Sequence, residues 1–114
     1  MKKPLFIAGL GLLLTISCNK DNIAPEVVKA LHETYPDYEI EECKWNKEAV
    51  FTVKLDALDA PKLIFNASNE KIGTCDYFVN MVDDICYELA NCKVVYRPKD
   101  SVTGLPAVDK YNLD

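Results

Sequence analysis

The chain has 114 residues, the size of one domain, and carries 13 Lys plus Arg against 18 Asp plus Glu, a formal charge of −5. An acidic balance argues against nucleic-acid binding, which needs a basic patch. A content of 49% hydrophobic and 27% charged residues is that of a folded domain rather than a disordered chain, and one histidine with four glycines thins out the usual enzyme chemistries.

The N-terminus opens on Lys2 and Lys3, continues as an apolar run from Leu5 to Ile16, and meets no further charge until Lys20. The uncharged stretch is 16 residues long, short of the roughly 20 that a spanning helix needs. A basic start, a short apolar middle and a small residue at the cut are the layout of a secretory signal. The residues Leu14-Thr15-Ile16-Ser17-Cys18 resemble the lipobox of bacterial lipoproteins, with Thr15 where the commonest form carries Leu. That resemblance implies a signal peptide over 1–17 and a Cys18 that is acylated on sulfur and becomes the first residue of the mature protein. A single myristoyl chain anchors only marginally, so two or three chains would hold the protein to its membrane. Asn19, rather than Asp, after the cysteine favours the outer membrane of a Gram-negative envelope, on its periplasmic or external face. Removing Lys2 and Lys3 leaves 11 basic residues against 18 acids, a charge of −7. Membrane attachment must then come from the lipid and not from attraction to an anionic leaflet.

Residues 18–24 read as a short tether, reaching at most about 24 Å. Ala24-Pro25-Glu26 opens a helix, with Pro at the first helical position and an acid in the first turn. Val27, Val28, Leu31 and Tyr35 share one face of it, and Pro36 stops it. Strands are predicted over 38–45 and 49–55 around a turn at Asn46-Lys47-Glu48, then over 62–66 and 71–77. The spacing of Met81, Val82, Ile85, Cys86 and Leu89 predicts a second helix from Met81 to Ala90, capped by Asn80. Residues 92–97 form a last strand, and 98–114 an irregular tail. The order implies an α+β domain over 25–97: a small antiparallel sheet of three to five strands with two helices on one side.

Once Cys18 takes lipid, Cys43, Cys75, Cys86 and Cys92 remain, an even number that implies two disulfides in an exported domain. Three connectivities are open. Cys43–Cys75 and Cys86–Cys92 are favoured, the first joining two strands and the second clasping the end of the second helix. Zinc sites want cysteine pairs two to four residues apart, whereas the gaps here are 31, 10 and 5 residues. No Cys-x-x-Cys redox motif is present.

Other chemistry-bearing residues read as surface or rim. His32 sits at the edge of the first helix's apolar face. Gly73 and Gly104 are the only glycines beyond the signal, too few for a phosphate-binding loop. Neighbours in Glu41-Glu42 and Asp83-Asp84 diverge on a strand or a helix and read as solvated carboxylates. Tyr87, on the polar face of the second helix, marks a possible partner surface. Asp100-Ser101-Val102 resembles the Asp-Ser/Thr-aliphatic triplet that some Gram-negative anaerobes O-glycosylate, which makes Ser101 a candidate acceptor. Asn66-Ala67-Ser68 fits the eukaryotic N-glycan sequon and is set aside because the lipobox is bacterial.

The stretch from Val27 to about Tyr77 resembles the PepSY-like domains of bacterial envelope proteins. The matching pieces are Val28-Lys29-Ala30-Leu31, Tyr35-Pro36, Lys44-Trp45, Val50-Phe51-Thr52-Val53 and Leu63-Ile64-Phe65; the four cysteines are not part of that pattern. The resemblance brings no catalytic residue and implies a role in binding or inhibiting other proteins, peptidases included. The expected function is therefore a non-enzymatic, lipid-anchored binding or inhibitory module with an envelope protein as partner. No cofactor, metal, nucleic acid or small-molecule substrate is expected. The alternative is a structural or assembly component of the outer envelope.

Overall fold

A computed structural model describes residues 20–114, with side chains from Ile23 onward; the signal peptide and Cys18 lie outside the described residues. Helix α1 spans Lys20–Thr34, with Pro25 inside it. Residues 20–24, expected as an extended tether, are helical. At about 1.5 Å per residue they advance only about 7 Å. The inward face is the expected one, with Val27, Val28 and Leu31 buried. The helix ends as Tyr35 N–H donates to the Leu31 carbonyl at 2.7 Å, before Pro36.

Seven strands follow: β1 (Tyr38–Trp45), β2 (Glu48–Leu55), β3 (Lys62–Phe65), β4 (Lys71–Asp76), β5 (Met81–Val82), β6 (Ala90–Arg97) and β7 (Val108–Asp109). They form one antiparallel sheet in the order β5-β4-β3-β2-β1-β6-β7. The β1–β2 hairpin closes on two residues, Asn46 and Lys47, at φ 51° and 67°, with Trp45 opposite Glu48. Two positive φ values twist this turn in the sense the strands require. The described residues are thus mostly β, with more strands than expected and a single α-helix.

The sheet buries both of its faces. On the helix side Ile40, Phe51, Val53 and Phe65 pack with Val27, Val28 and Leu31. On the other, Cys43, Val50, Ile64 and Cys75 pack with Ile85. The clean alternation of β2 therefore divides two cores, not a core from solvent. The second core is covered by a strap between β5 and β6 that holds a 3-10 helix, Asp84–Tyr87.

That strap replaces the predicted second α-helix. Val82 and Ala90 lie in strands five spacings apart in the sheet order, about 24 Å at about 4.8 Å per spacing. Eight residues of α-helix rise only about 12 Å. The apolar periodicity is real, but the span forces a more extended path.

The favoured disulfide pairing is also corrected. Cys43 on β1 and Cys75 on β4 share a face but stand three strand spacings apart, about 14 Å, beyond the roughly 7 Å at which a bridge can form. The pairs are Cys43–Cys92, with Cα atoms 4.0 Å apart, and Cys75–Cys86, at 6.0 Å. Cys75–Cys86 ties the 3-10 helix of the strap to β4, and Cys43–Cys92 joins the neighbouring strands β1 and β6 just beyond the strap.

The tail is not irregular throughout. β7 pairs with β6, and Tyr111 and Leu113 pack against the helix-side core. Tyr111 donates its hydroxyl to Glu42 at 2.9 Å, and Tyr96 donates to Asp114 at 2.9 Å. Burial, then the Asp114 carboxylate, pushes the Tyr96 phenol up to about 12. Burial and Glu42 push Tyr111 to about 12 as well. Burial alone would raise the Asp109 carboxyl, but the N–H groups of Leu113 and Asp114, with His32 nearby, hold it below the usual range.

Candidate functional site: the loop end of the sheet

The two ends of the sheet differ in kind. α1 begins beside the β1–β2 and β3–β4 turns, where Ile23, Ala24, Lys47, Ala49 and Ala67 line one groove. It then runs down the sheet until Tyr35 stacks on Tyr38 and Phe65, ring centroids 4.8 and 5.9 Å away. The strand registers carry the β2–β3, β4–β5 and β6–β7 connections to this second end.

Exposed apolar side chains gather there. Leu55 and Leu58 lie at the β2–β3 connection, Tyr77, Phe78, Val79 and Met81 at β4–β5, and Val102 and Leu105 at β6–β7. Phe78 is 81% exposed. Single exposed apolar residues need no explanation, but a group of them at one end of the sheet makes that end the candidate site.

The loops that carry them are held by hydrogen bonds. The Asp76 carboxylate accepts from the N–H groups of Phe78 and Val79 at 3.2 and 3.4 Å. Asn80 closes the turn at φ 59°, a conformation Asn tolerates. Beneath it Cys75 pairs with Val82 and is bonded to Cys86. Asp83 accepts from the Thr74 N–H at 2.8 Å and returns its own N–H to the Thr74 carbonyl at 3.1 Å. The β2–β3 connection adjoins each of the other two. Asp56 accepts from the Ser101 hydroxyl at 2.8 Å and the Val102 N–H at 3.1 Å, while Tyr77 and Ala60 line a common groove of about 270 Å³ on the polar part of the sheet.

Charge at this end is acidic. Arg97 and Lys62 are neutralised by Glu39 and Glu41 at 2.6 and 3.0 Å. The connections themselves carry Asp56, Asp59 and Asp100 against Lys99, with Asp76 ending β4 and Lys54 lining the same groove as Tyr77.

The residues singled out in the sequence are distributed as follows. Tyr87 is 71% exposed, on the 3-10 helix rather than on an α-helical face. His32 is half-buried against the Tyr96 ring at 4.4 Å, with Nε2 3.6 Å from Asp114 and a buried Nδ1 that has no hydrogen-bond partner among the described residues. Glu41 accepts from Thr52 and Lys62, each at 3.0 Å, while Glu42 accepts from Tyr111. The two therefore work on opposite faces. Asp83 serves the β4 backbone, and Asp84 is exposed. A carboxylate oxygen of Glu41 lies within 4.8 Å of both Cys43 and Cys92 sulfurs, but those sulfurs are bonded to each other and offer no thiolate to a metal. Ser101 is 8% exposed with its hydroxyl engaged by Asp56, so a sugar there must displace that contact. The Asn66 carboxamide accepts from the N–H groups of Ser68 and Glu70 and shapes its turn.

Sequence reasoning missed the 77–79 tip. The available signal was three apolar residues between Asp76 and Asn80, both turn formers; a strand ended at Tyr77 left Phe78 and Val79 unassigned. Comparisons with protein-family models, curated proteins and solved structures return no match for this chain.

Proposed function

We propose that the protein is a lipid-anchored component of a Gram-negative outer envelope that binds another protein through the loop end of its sheet and catalyses no reaction of its own. The observation that carries this reading is the group of exposed apolar side chains on loops held by Asp76, Asn80 and Asp56. Ordered loops lose little freedom on binding, which leaves more of the contact energy as affinity. The lipobox supplies the anchor at Cys18, and the order of α1, Tyr35-Pro36, a strand ending in Trp45, a hairpin and a further strand supports the PepSY-like reading.

Two measurements test it. Intact mass of membrane-extracted protein, with and without reductant, is expected to show acyl chains, two disulfides and any sugar on Ser101. Affinity purification of the full-length chain from crosslinked cells is expected to recover an envelope protein. Recovery of nothing above background would refute the binding role, and an unchanged mass and fractionation in Cys18→Ser would refute the anchor.

A further inference from the structure

We propose that the loop end docks into a protein partner that offers an apolar recess ringed by Lys and Arg side chains, with Phe78 entering the recess and Leu58 at its edge. The inference rests on the protein-binding reading and specifies the partner's chemistry and the side on which it sits.

Direction is the first argument. Residues 1–19 precede α1, which starts at the opposite end of the sheet from these loops. An anchor at Cys18 therefore joins the molecule at one end and leaves the loops at the other. β1 and β2, each eight residues long, set a separation of about 27 Å at about 3.4 Å per residue. The loops face away from the leaflet that holds the protein.

Charge is the second. Asp56, Asp59, Asp76 and Asp100 stand against Lys54 and Lys99 at this end. An anionic lipid surface repels such an end, and so does a second copy docked loop to loop, since like charges would then be brought together. A recess with a cationic rim is the complementary surface.

Preorganisation is the third. The tip conformation is set by the Asp76 contacts, the left-handed Asn80 and the Cys75–Cys86 bridge. A rigid aromatic presented from such a turn has the character of an interface anchor.

The test uses the full-length chain in its native envelope, with a photoreactive benzophenone side chain in place of Leu58 at the loop end or of Lys47 at the opposite end. The expected result is a discrete protein adduct from position 58 and none from 47. That adduct falls about thirtyfold in Phe78→Asp, the loss of one anchor residue. It also falls several-fold in Asp59→Lys or when salt is raised from about 0.1 to about 0.5 M, where screening shortens to a few ångströms. An unchanged melting midpoint in Phe78→Asp shows that the fold is not what was lost. A phospholipid adduct, an adduct of twice the chain's own mass, or a protein adduct indifferent to Phe78→Asp and to salt overturns the proposal. An adduct from position 47 alone overturns it while leaving the protein-binding reading standing; no adduct from either position removes both.

Discussion

At Gly73 the strap presses directly on the sheet. It lies on β4 opposite Ile64. A Cβ there would sit 2.6 Å from Ile85 Cγ2 and 3.4 Å from Ile64 Cδ1. Carbon atoms in contact prefer about 3.5–4.0 Å, so the Ile64 contact is tolerable and the Ile85 contact is not. Ile85 is 7% exposed and Cγ2 is on its branch point, so it cannot swing clear as the end of a long side chain would. Gly73→Ala should therefore cost about 1–3 kcal/mol by overpacking. Ile85→Ala should cost about 2–4 kcal/mol, from three lost carbons at about 0.8 kcal/mol each plus a cavity. In the double variant the alanine at 73 enters space that Ile85 vacates. The combined cost should then fall short of the sum by about 1–2 kcal/mol. Guanidinium unfolding of the oxidised protein, followed by Trp45 fluorescence, reads this directly. Trp45 packs against the second core and donates its indole N–H to Glu88 on the strap at 2.8 Å. Costs that add within about 0.3 kcal/mol would show that Gly73 and Ile85 do not touch, and the account of the strap would fail.

Three further outcomes follow from the geometry. Non-reducing peptide maps should show Cys43–Cys92 and Cys75–Cys86; the paired Ser variants should lose about 4 and about 3 kcal/mol, the larger for the longer loop. Equal losses, or a Cys43–Cys75 peptide, would contradict the pairing. With folded-state pKa values raised from about 10 to about 12, Tyr96 and Tyr111 contribute stability that is complete below pH 10 and is lost as pH rises through 12. Phenolate absorbance should show two late-titrating tyrosines, and tail release by proteolysis should rise across that window; a plain midpoint near 10 for all six tyrosines would refute the docking. Removal of residues 111–114 should lower stability by about 1–3 kcal/mol in denaturant melts, because Tyr111 and Leu113 leave the helix-side core; no change would mean that the tail carries no load.

Several local features could be read without coordinates. The Val27, Val28 and Leu31 face is buried, a turn beginning at Asn46 closes the first hairpin, and the strands around 49–55, 62–65 and 71–76 fall where alternation and turn formers put them. Each depends on neighbours a few residues apart, which is the range that periodicity reports. The strap shows where that range ends: its apolar spacing matched a helix, yet the distance from β5 to β6 excluded one. The candidate site was harder still, because Leu58, Phe78 and Val102 belong to three connections that only the sheet order brings to one end.

The amino-acid sequence by itself determined the apolar face of the first helix, the strands from Tyr38 to Asp76 and the even set of cysteines. Tertiary structure decided which cysteines meet, that the tail supplies a seventh strand, and that the apolar loops lie opposite the start of α1. Local patterns record which face of a segment is apolar; strand order and register, set by contacts between distant segments, decide what that face is packed against and where a loop points.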